Sequence, residues 1–192
     1  MIGSFKIMFL IVLLVLVNLL TGCQPNSGEQ GEKQQTSQEI VKTLPVAGQD
    51  NAAKTQRIVV YRATKDARYL VPEVHEVPQN DHPVKTALEL LLTDSHNPDT
   101  IFLLPPGTKL RGVSVKNGVA YVDFNEKLIK GSNEGSTGEM LMVAAIVNTL
   151  TEFSEIDKVQ IMVEGKKVDT LAGHMDVSEP LSRSEKIIKK SL

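Results

Sequence analysis

The side chains that could carry out acid–base or metal chemistry are few and widely spaced. The four histidines, His75, His82, His96 and His174, include no pair with the spacing of metal ligands such as His-x-x-x-His. The serines include no Gly-x-Ser-x-Gly elbow of the kind that hydrolases use. The sequence therefore predicts a protein that is not an enzyme and that has no catalytic residue, metal site or cofactor.

Three polar residues are the best candidates for binding a ligand or a partner. Asp123 ends a β-rich run beside Asn125; its carboxylate could cap the following turn through backbone amides, the commoner role, or bind a metal ion or glycan. Glu139 follows a loop, 131–138, that is rich in Gly, Ser and Asn but lacks the lysine and the spacing of a phosphate-binding P-loop. We therefore take Asp123, Asn125 and Glu139 as the candidate ligand or interaction residues.

Cys23 is the only cysteine of the chain, so it has no partner for a disulfide. It follows an apolar run over 7–17, which is shorter than the roughly 20 residues that span a bilayer but fits the core of a signal peptide. The run leads to Leu20-Thr21-Gly22-Cys23, which resembles the bacterial lipobox. That resemblance implies a diacylglyceryl group on the Cys23 thiol, cleavage before Cys23 and acylation of the new amino terminus. We expect a lipoprotein that is anchored through Cys23 in membrane lipid, on the extracytoplasmic face of the cell membrane; a transmembrane anchor and a secreted protein with a free thiol are the alternatives.

A polar segment separates this signal from the rest of the chain. Residues 24–56 are rich in Gln, Ser, Gly, Glu and Lys and contain no aromatic residue, so they cannot bury enough apolar surface to offset the entropy lost on ordering. As a flexible coil, such a segment has a root-mean-square reach of about 30 Å. We therefore divide the chain into a signal peptide at 1–22, a lipid-anchored tether at 23–56, one domain at 57–182 and a disordered tail at 183–192.

Charge and composition exclude one class of partner. Residues 1–22 contain one charged side chain, Lys6, so the remaining chain has 20 basic and 23 acidic residues, a net charge of −3. Proteins that bind nucleic acid normally have a clearly basic face, so we expect no nucleic acid as a partner. Tryptophan is absent and aromatics are 4% of the chain, which also argues against a stacking platform for bases or sugars.

The elements that must position these residues are strands mixed with helices. Pro83 lies in the first turn of the first helix, with Asp81 or His82 as its cap, whereas Pro72 and Pro78 place the second strand at a sheet edge or end it. β-branched runs predict the strands and helical apolar spacing predicts the helices. In order, we predict strands at 57–62 and 69–77, a helix from 82 to 94, strands at 110–115 and 119–124, a helical turn at 125–130, a helix at 139–153, and strands at 158–164 and 166–170.

Two of these elements carry more specific signals. Asn117-Gly118 joins two β-rich runs, which is typical of a hairpin whose two turn residues have positive φ. The helix at 139–153, with Ser136 or Thr137 as its N-cap, is apolar around most of its circumference, so we expect the sheet to cover one side and another helix or protein the other. Alternating side chains predict the buried face of the hairpin: Val113, Val115, Val119 and Tyr121, which Asp123 would continue.

The order β-β-α-β-β-α-β-β mixes hairpins with helical connections. It predicts the fold class α/β (α+β), a two-layer sandwich in which two helices pack on one face of a mixed β-sheet. The length of the chain leaves room for one such domain.

The block that contains the hairpin resembles a known domain. Pro105-Pro106-Gly107-Thr108-Lys109-Leu110, followed by the run at 113–124, resembles the core of the GerMN domain, which is named from sporulation and spore-germination proteins. The resemblance covers about residues 57–182 and implies a fold similar to the small α/β modules that build rings in secretion systems. Further segments match the same pattern in order: Gly138, Asn148-Thr149-Leu150, 159–163, Glu164-Gly165-Lys166 and 173–181.

The same resemblance implies a setting and a role. It implies an exported domain, often lipid-anchored, of Gram-positive spore-forming bacteria, which acts in sporulation or germination by assembling with other envelope proteins. The chain carries one copy of the domain, whereas the protein that names the family carries two.

These observations leave three hypotheses for function. The first is a scaffold module of the cell envelope that binds an envelope or sporulation protein through a sheet edge or its helix layer. The second is a binding module for a small ligand or cell-wall fragment in a cleft near Asp123 and the loop at 131–138. The third, a hydrolase, has the least support, because no catalytic site is assembled.

Overall fold

The computed structural model describes residues 54–131 and 135–190. The predicted signal peptide, Cys23 and the tether up to residue 53 lie outside these ranges, as do residues 132–134 of the predicted loop. None of the helices within the described ranges is long and apolar enough to cross a membrane. The elements, in chain order, are β1 (Thr55–Thr64), β2 (Leu70–Pro78), α1 (Pro83–Leu91), β3 (Thr100–Ile101), β4 (Leu110–Lys116), β5 (Val119–Phe124), α2 (Lys127–Lys130), α3 (Gly135–Leu150), β6 (Lys158–Val163), β7 (Lys166–Lys167), β8 (Leu181–Ser182) and a 3₁₀ turn (Glu185–Ile187).

The strands form two sheets, where the sequence predicted one. In the first sheet β1 lies between β2 and β3, and both pairings are antiparallel. In the second sheet the order is β4-β5-β6-β7, with β5 and β6 parallel and the other pairs antiparallel. β8 pairs with the start of β6 and β7 with its end, so these two short strands share one edge.

The two longer helices form the second layer. α1 and α3 contact each other; α1 also contacts β4, α3 contacts β6, and both contact β1. This arrangement confirms the predicted α+β fold, with a mixed sheet and two helices on one of its faces. The sheet residues in their shared core are at most 6% exposed: Ala120, Val122, Phe124, Val159, Ile161 and Val163.

The buried face of the β4–β5 hairpin differs from the predicted one: on β4, Val115 was expected to be buried but is 41% exposed, and on β5 the other face is buried. The turn has only two residues, so Val113 pairs with Val122 and shares its face of the sheet. Val119, Tyr121 and Asp123 therefore point to the opposite face. The prediction that Val119 and Tyr121 are part of the buried face was wrong. With a two-residue turn, odd-numbered residues of β4 pair with even-numbered residues of β5, so the even-numbered side chains of β5 face the core.

α3 is covered on almost every side by this chain. Between residues 139 and 150, every side chain is at most 7% exposed except Met140, at 42%. Burial on more than one side is thus confirmed, and the second cover is α1. Because the helix begins at Gly135, the predicted caps Ser136 and Thr137 lie inside its first turn. No broad apolar surface of α3 is left for a partner in the described part of the chain.

Both ends of the predicted domain extend further than the sequence indicated. Thr55 and Gln56, assigned to the tether, are the first residues of β1. The prediction of a disordered tail was wrong for residues 183–190, where Ile187 is 8% exposed and the Lys189 N–H donates to the Leu70 carbonyl at 2.8 Å. Burial of an isoleucine stabilises this segment, which its lysine-rich composition does not reveal.

Candidate functional site

Asp123 holds the turn between β6 and β7 beside the end of β5. Its Oδ1 accepts the N–H of Gly165 at 2.8 Å, and its Oδ2 lies 3.2 Å from Nη1 of Arg111. The same Arg111 nitrogen lies 2.9 Å from Oε2 of Glu164. Asp123 therefore binds a backbone amide, as a capping residue does, but this amide belongs to the β6–β7 turn and not to the turn that follows β5.

Asn125 fastens the loop before β4 to the end of β5. Its Nδ2 donates to the Gly107 carbonyl at 3.0 Å, and its Oδ1 accepts the Lys109 N–H at 2.9 Å. Its own N–H donates to the Lys109 carbonyl at 3.0 Å. Both polar atoms of the side-chain amide thus bind backbone groups, which positions the loop at 105–109.

Glu139, in α3, is fully buried and anchors the segment 171–174. Its Oε1 accepts the N–H groups of Leu171 at 2.9 Å and Ala172 at 2.8 Å, and its Oε2 accepts that of His174 at 2.8 Å. Nδ1 of the His174 ring lies 3.1 Å from the same Oε2. Burial raises the pKa of the Glu139 carboxyl, but these backbone donors and the histidine outweigh it, so the pKa lies below its usual value.

The three predicted residues do not form one site. Asp123 and Asn125 are neighbours at the end of β5, whereas the partners of Glu139 all lie in the segment 171–174. Within the described ranges, no hydrogen bond or ion pair joins Glu139 to the other two residues, and no group of three or more His, Cys, Asp or Glu residues could hold a metal ion. Each of the three side chains has a structural role in holding its own loop.

A polar network that the sequence did not indicate joins β1 to the C-terminal segment. The Tyr61 hydroxyl donates to Oε1 of Glu152 at 2.8 Å and accepts from Nη2 of Arg183 at 2.6 Å. Nη1 of Arg183 lies 2.8 Å from the same Glu152 oxygen, and its Nε bonds Glu185. Burial lowers the pKa of Arg183, but the bonds to Glu185 and Tyr61 outweigh it, so the pKa is raised. Tyr61 and Arg183 are 122 positions apart, so no local pattern could have revealed this network.

β2 is the edge strand of the first sheet, and its edge is protected. The positions whose backbone points away from β1 include Pro72 and Pro78, which have no N–H group. At the start of β2, the C-terminal segment already bonds the Leu70 carbonyl. These features leave little room for another strand along β2.

β4 is the edge strand of the second sheet, and its edge is open. The two-residue turn makes Lys116 and Val119 a hydrogen-bonded pair, so the N–H groups of Val113 and Val115 point away from β5. Among the described residues, no protein group accepts these two N–H groups. Val115 is 41% exposed. An extended segment of another protein could therefore add to this sheet.

Comparison with known proteins places the chain in a family described by sporulation and spore germination. Residues 59–169 match the model of the family described as "Germane: Sporulation and spore germination". The spore germination protein GerM of Bacillus subtilis (strain 168) is 28% identical over 144 residues, which are 72% of this chain but 38% of GerM. The chain thus spans well under half the length of that relative.

Solved structures show the same fold. The first GerMN domain of the sporulation protein GerM from Bacillus subtilis matches with a TM-score of 0.58 and 27% identity, over 67% of this chain and 98% of that domain. The tandem GerMN domains of GerM match with a TM-score of 0.57 and 27% identity, over 67% of this chain and 46% of that one. A crystal structure from Clostridium perfringens, described as a candidate lipoprotein, matches with a TM-score of 0.50 and 25% identity, over 67% and 87% of the two chains.

Proposed function

Because this chain belongs to the Germane family of sporulation and spore germination, we propose that it is an assembly module of the cell envelope, anchored by a lipid on Cys23 at the extracytoplasmic face of the membrane. Its partner is an envelope or sporulation protein, and its role is binding rather than catalysis. The lipobox supports the anchor, as does the structural likeness to a candidate lipoprotein. The similarity to GerM supports a role in sporulation or germination.

The observation that carries the assembly role is the open edge of β4. Of the two surfaces expected from the sequence, the helix layer is occupied by the protein's own contacts, since α3 is covered by α1, β1 and the second sheet. A sheet edge remains. The outward N–H groups of β4 lie in a stretch without proline, whereas those of β2 are flanked by Pro72 and Pro78. We therefore assign the partner to β4, where main-chain hydrogen bonds would give affinity and the side chains of the strand would give specificity.

The geometry supports a ligand-binding module less well. The cleft expected near Asp123 would need free polar groups, but the oxygens of Asp123 bind Gly165 and Arg111, and the amide of Asn125 binds the loop before β4. A ligand there would have to displace these bonds.

Proline substitution can test the β4 edge without breaking the β4–β5 ladder. Val115→Pro removes an N–H that points away from β5, and Val74→Pro removes the corresponding outward N–H on β2. The two valines are 41% and 47% exposed, so Val74→Pro is a matched control. A photo-crosslinking residue placed at Ser114, next to the site of substitution, captures the partner in growing and sporulating cells, and mass spectrometry identifies it.

We expect one dominant protein neighbour in the wild type, its loss in Val115→Pro and its retention in Val74→Pro. Thermal unfolding of both purified variants verifies that they are folded. Equal capture in the two folded variants would contradict the assignment to β4. Recovery of cell-wall fragments alone would favour the ligand-binding alternative.

A further inference from the structure

The C-terminal segment and the β1–β2 turn enclose a positively charged cleft. Its volume is about 330 Å³. The Arg68 guanidinium lies 5.8 Å from the centre of the ring of Tyr69, one of the residues that line the cleft. The residues that line it are one aromatic, one aliphatic and three basic: Tyr69, Ile188, Lys186, Lys189 and Lys190.

The lysines of this cleft have no ion-pair partner in the part of the chain that the structure describes. Within the described ranges, no carboxylate lies within ion-pair distance of the three lysines or of Arg68. The two acidic residues next to them in the chain have hydrogen-bond or ion-pair partners outside the cleft, and the charge of Asp66 also interacts with that of Arg68. Asp66 accepts hydrogen bonds from the Thr64 hydroxyl and the Arg68 N–H, and Glu185 pairs with Arg183. The cleft is therefore a local cluster of positive charge on a chain whose net charge is slightly negative.

The fold holds these lysines in place. Ile187 is 8% exposed, and Ile188 forms a parallel bridge with Leu70. The Lys189 N–H donates to the Leu70 carbonyl at 2.8 Å. The three ammonium groups therefore project from a docked segment, beside the 39%-exposed Tyr69, which combines an apolar ring with a polar tip.

The geometry points to this cleft as a site for the phosphate groups of anionic lipids, by which the domain docks on the surface of the membrane. Cations beside an aromatic and an aliphatic side chain suit the boundary between lipid headgroups and acyl chains. A long phosphodiester polymer would need a basic track, whereas these charges are gathered at one end of β1. The assignment to lipid, rather than to another phosphate source, rests on the proposed anchor at Cys23, which keeps the domain beside a bilayer.

The position of the cleft is compatible with such an anchor. The chain enters the domain at Thr55, and the cleft lies at the other end of β1, about 30 Å away for a strand of this length. The tether predicted from the sequence has a similar reach, about 30 Å, so the cleft can approach the surface in which the lipid is inserted. Anchoring makes this second contact intramolecular, so a weak headgroup site is sufficient.

Lysine footprinting on the anchored protein tests this site. The mature protein is purified from membranes and placed in nanodiscs of phosphatidylcholine alone or mixed with phosphatidylglycerol, and the acetylation of each lysine is followed by mass spectrometry. We expect Lys186, Lys189, Lys190 and the adjacent Lys65 to react at least about fivefold more slowly on the anionic discs. Lys166, in β7, serves as the internal control.

Two triple variants separate the cleft from net charge. In K186Q/K189Q/K190Q, binding to the anionic surface should weaken roughly a hundredfold, so Lys65 should lose its protection. In K116Q/K127Q/K158Q, which loses the same charge at exposed positions elsewhere, Lys65 should remain protected.

Three results would overturn the inference. One is equal reactivity of the cleft lysines on both kinds of disc. Another is protection already on the neutral discs, which would mean that a segment of the chain covers the cleft. The third is stronger protection by a soluble glycerol-phosphate polymer added to neutral discs, which would make a polymer the ligand. The intact mass of the purified protein reports the lipid on Cys23 separately, so failure of the anchor is distinguishable from failure of the cleft.

Discussion

Glu139 is a buried charge that holds a loop in place. Three backbone N–H groups and the ring of His174 surround its two oxygens. Hydrogen bonds to an ionised acceptor are about twice as strong as neutral ones, so the carboxylate stabilises the segment 171–174 more than a neutral side chain of the same shape would. Asp123 and Asn125 hold their own neighbouring loops in a similar way but are less buried.

Glu139→Gln removes the charge and one acceptor oxygen while keeping the size of the side chain. We expect it to lower the free energy of unfolding by about 2 kcal/mol at neutral pH. Because the pKa of Glu139 is lowered in the folded protein, its ionisation stabilises the fold above the ordinary pKa of 4.5, and this contribution is lost as the pH falls below it. The difference between wild type and variant should therefore shrink at about pH 3, as measured by urea unfolding.

Glu89→Gln is the matched control for this change. Glu89 is 57% exposed and pairs with Lys85 at 3.4 Å, so its replacement should alter stability by less than about 0.5 kcal/mol. A destabilisation by Glu139→Gln that is equally large at both pH values would show that the charge of Glu139 is not what stabilises the loop.

At the scale of elements, the β4–β5 hairpin depends on a turn that also contacts β6. Asn117 and Gly118 have φ of 52° and 76°, as a two-residue turn requires. The Gly118 carbonyl accepts the N–H groups of Asp157 at 2.8 Å and Lys158 at 3.1 Å, where β6 begins. The turn therefore helps to align the parallel pair of β5 and β6.

Gly118→Ala should destabilise the protein by about 1–3 kcal/mol, because an added Cβ strains the left-handed backbone. The added Cβ would also lie 2.5 Å from Oδ2 of Asp157. Gly112→Ala, in β4, is the control, since nothing lies within 4 Å of a Cβ there, and it should change stability by less than about 0.5 kcal/mol. Urea unfolding of both variants measures the effect; equal stabilities would rule out a specific need for glycine at the turn.

Arg183 is one of the side chains that fasten the C-terminal segment to the domain, together with Asn148, whose amide bonds both backbone groups of Ser184. Arg183 donates to the Asn148 carbonyl at 3.0 Å and bonds Tyr61, Glu152 and Glu185. We expect Arg183→Ala to cost about 2 kcal/mol of unfolding free energy and to accelerate amide hydrogen exchange over residues 184–190.

Lys186→Ala provides the comparison for Arg183→Ala. Lys186 is exposed and has no ion-pair partner among the described residues, so its replacement should leave exchange in this segment unchanged. Exchange that is equally fast in both variants, or equally slow, would show that Arg183 is not an attachment point.

At the scale of the whole molecule, the covered helix layer leaves the surfaces proposed for function at the periphery. The core between α1, α3 and the two sheets stabilises the domain, and the polar atoms of Asp123, Asn125 and Glu139 already bond neighbouring loops. The open edge of β4 and the basic cleft are the surfaces that we propose for a protein and for lipid. Both proposals place the protein at a membrane, which requires the anchor.

The anchor itself is a prediction for the intact protein in its cell. We expect the wild type to fractionate with membranes, to have lost residues 1–22 and to have gained the mass of acyl chains, as the lipobox resemblance implies. Cys23→Ser should lack the acyl mass and keep residues 1–22, whereas Ser27→Ala should behave as wild type. Intact-mass spectrometry of the membrane fraction measures this; an unacylated, uncleaved wild type would refute the anchor.

Most elements were predictable because their signals are local. The strands at 119–124 and 158–163, the hairpin turn and the helical spacing around α3 can each be read from a few adjacent residues. β3 and β8 were missed because two residues are too short for an alternation, and they are strands only through their pairing with β1 and β6. The face of β5 was misassigned because it depends on the length of the turn and not on hydrophobicity alone.

By itself, the sequence determined the α+β class and the family resemblance, since both depend on the order of locally coded strands, helices and turns. The tertiary structure alone decided what the polar residues do. Glu139 bonds an N–H 33 positions away, Asp123 one that is 42 away, and Tyr61 a guanidinium 122 away. The sequence of a carboxylate or amide residue is the same whether its side chain binds a ligand or a backbone group. Its partner depends on the tertiary packing, because that packing brings N–H groups from distant positions to it.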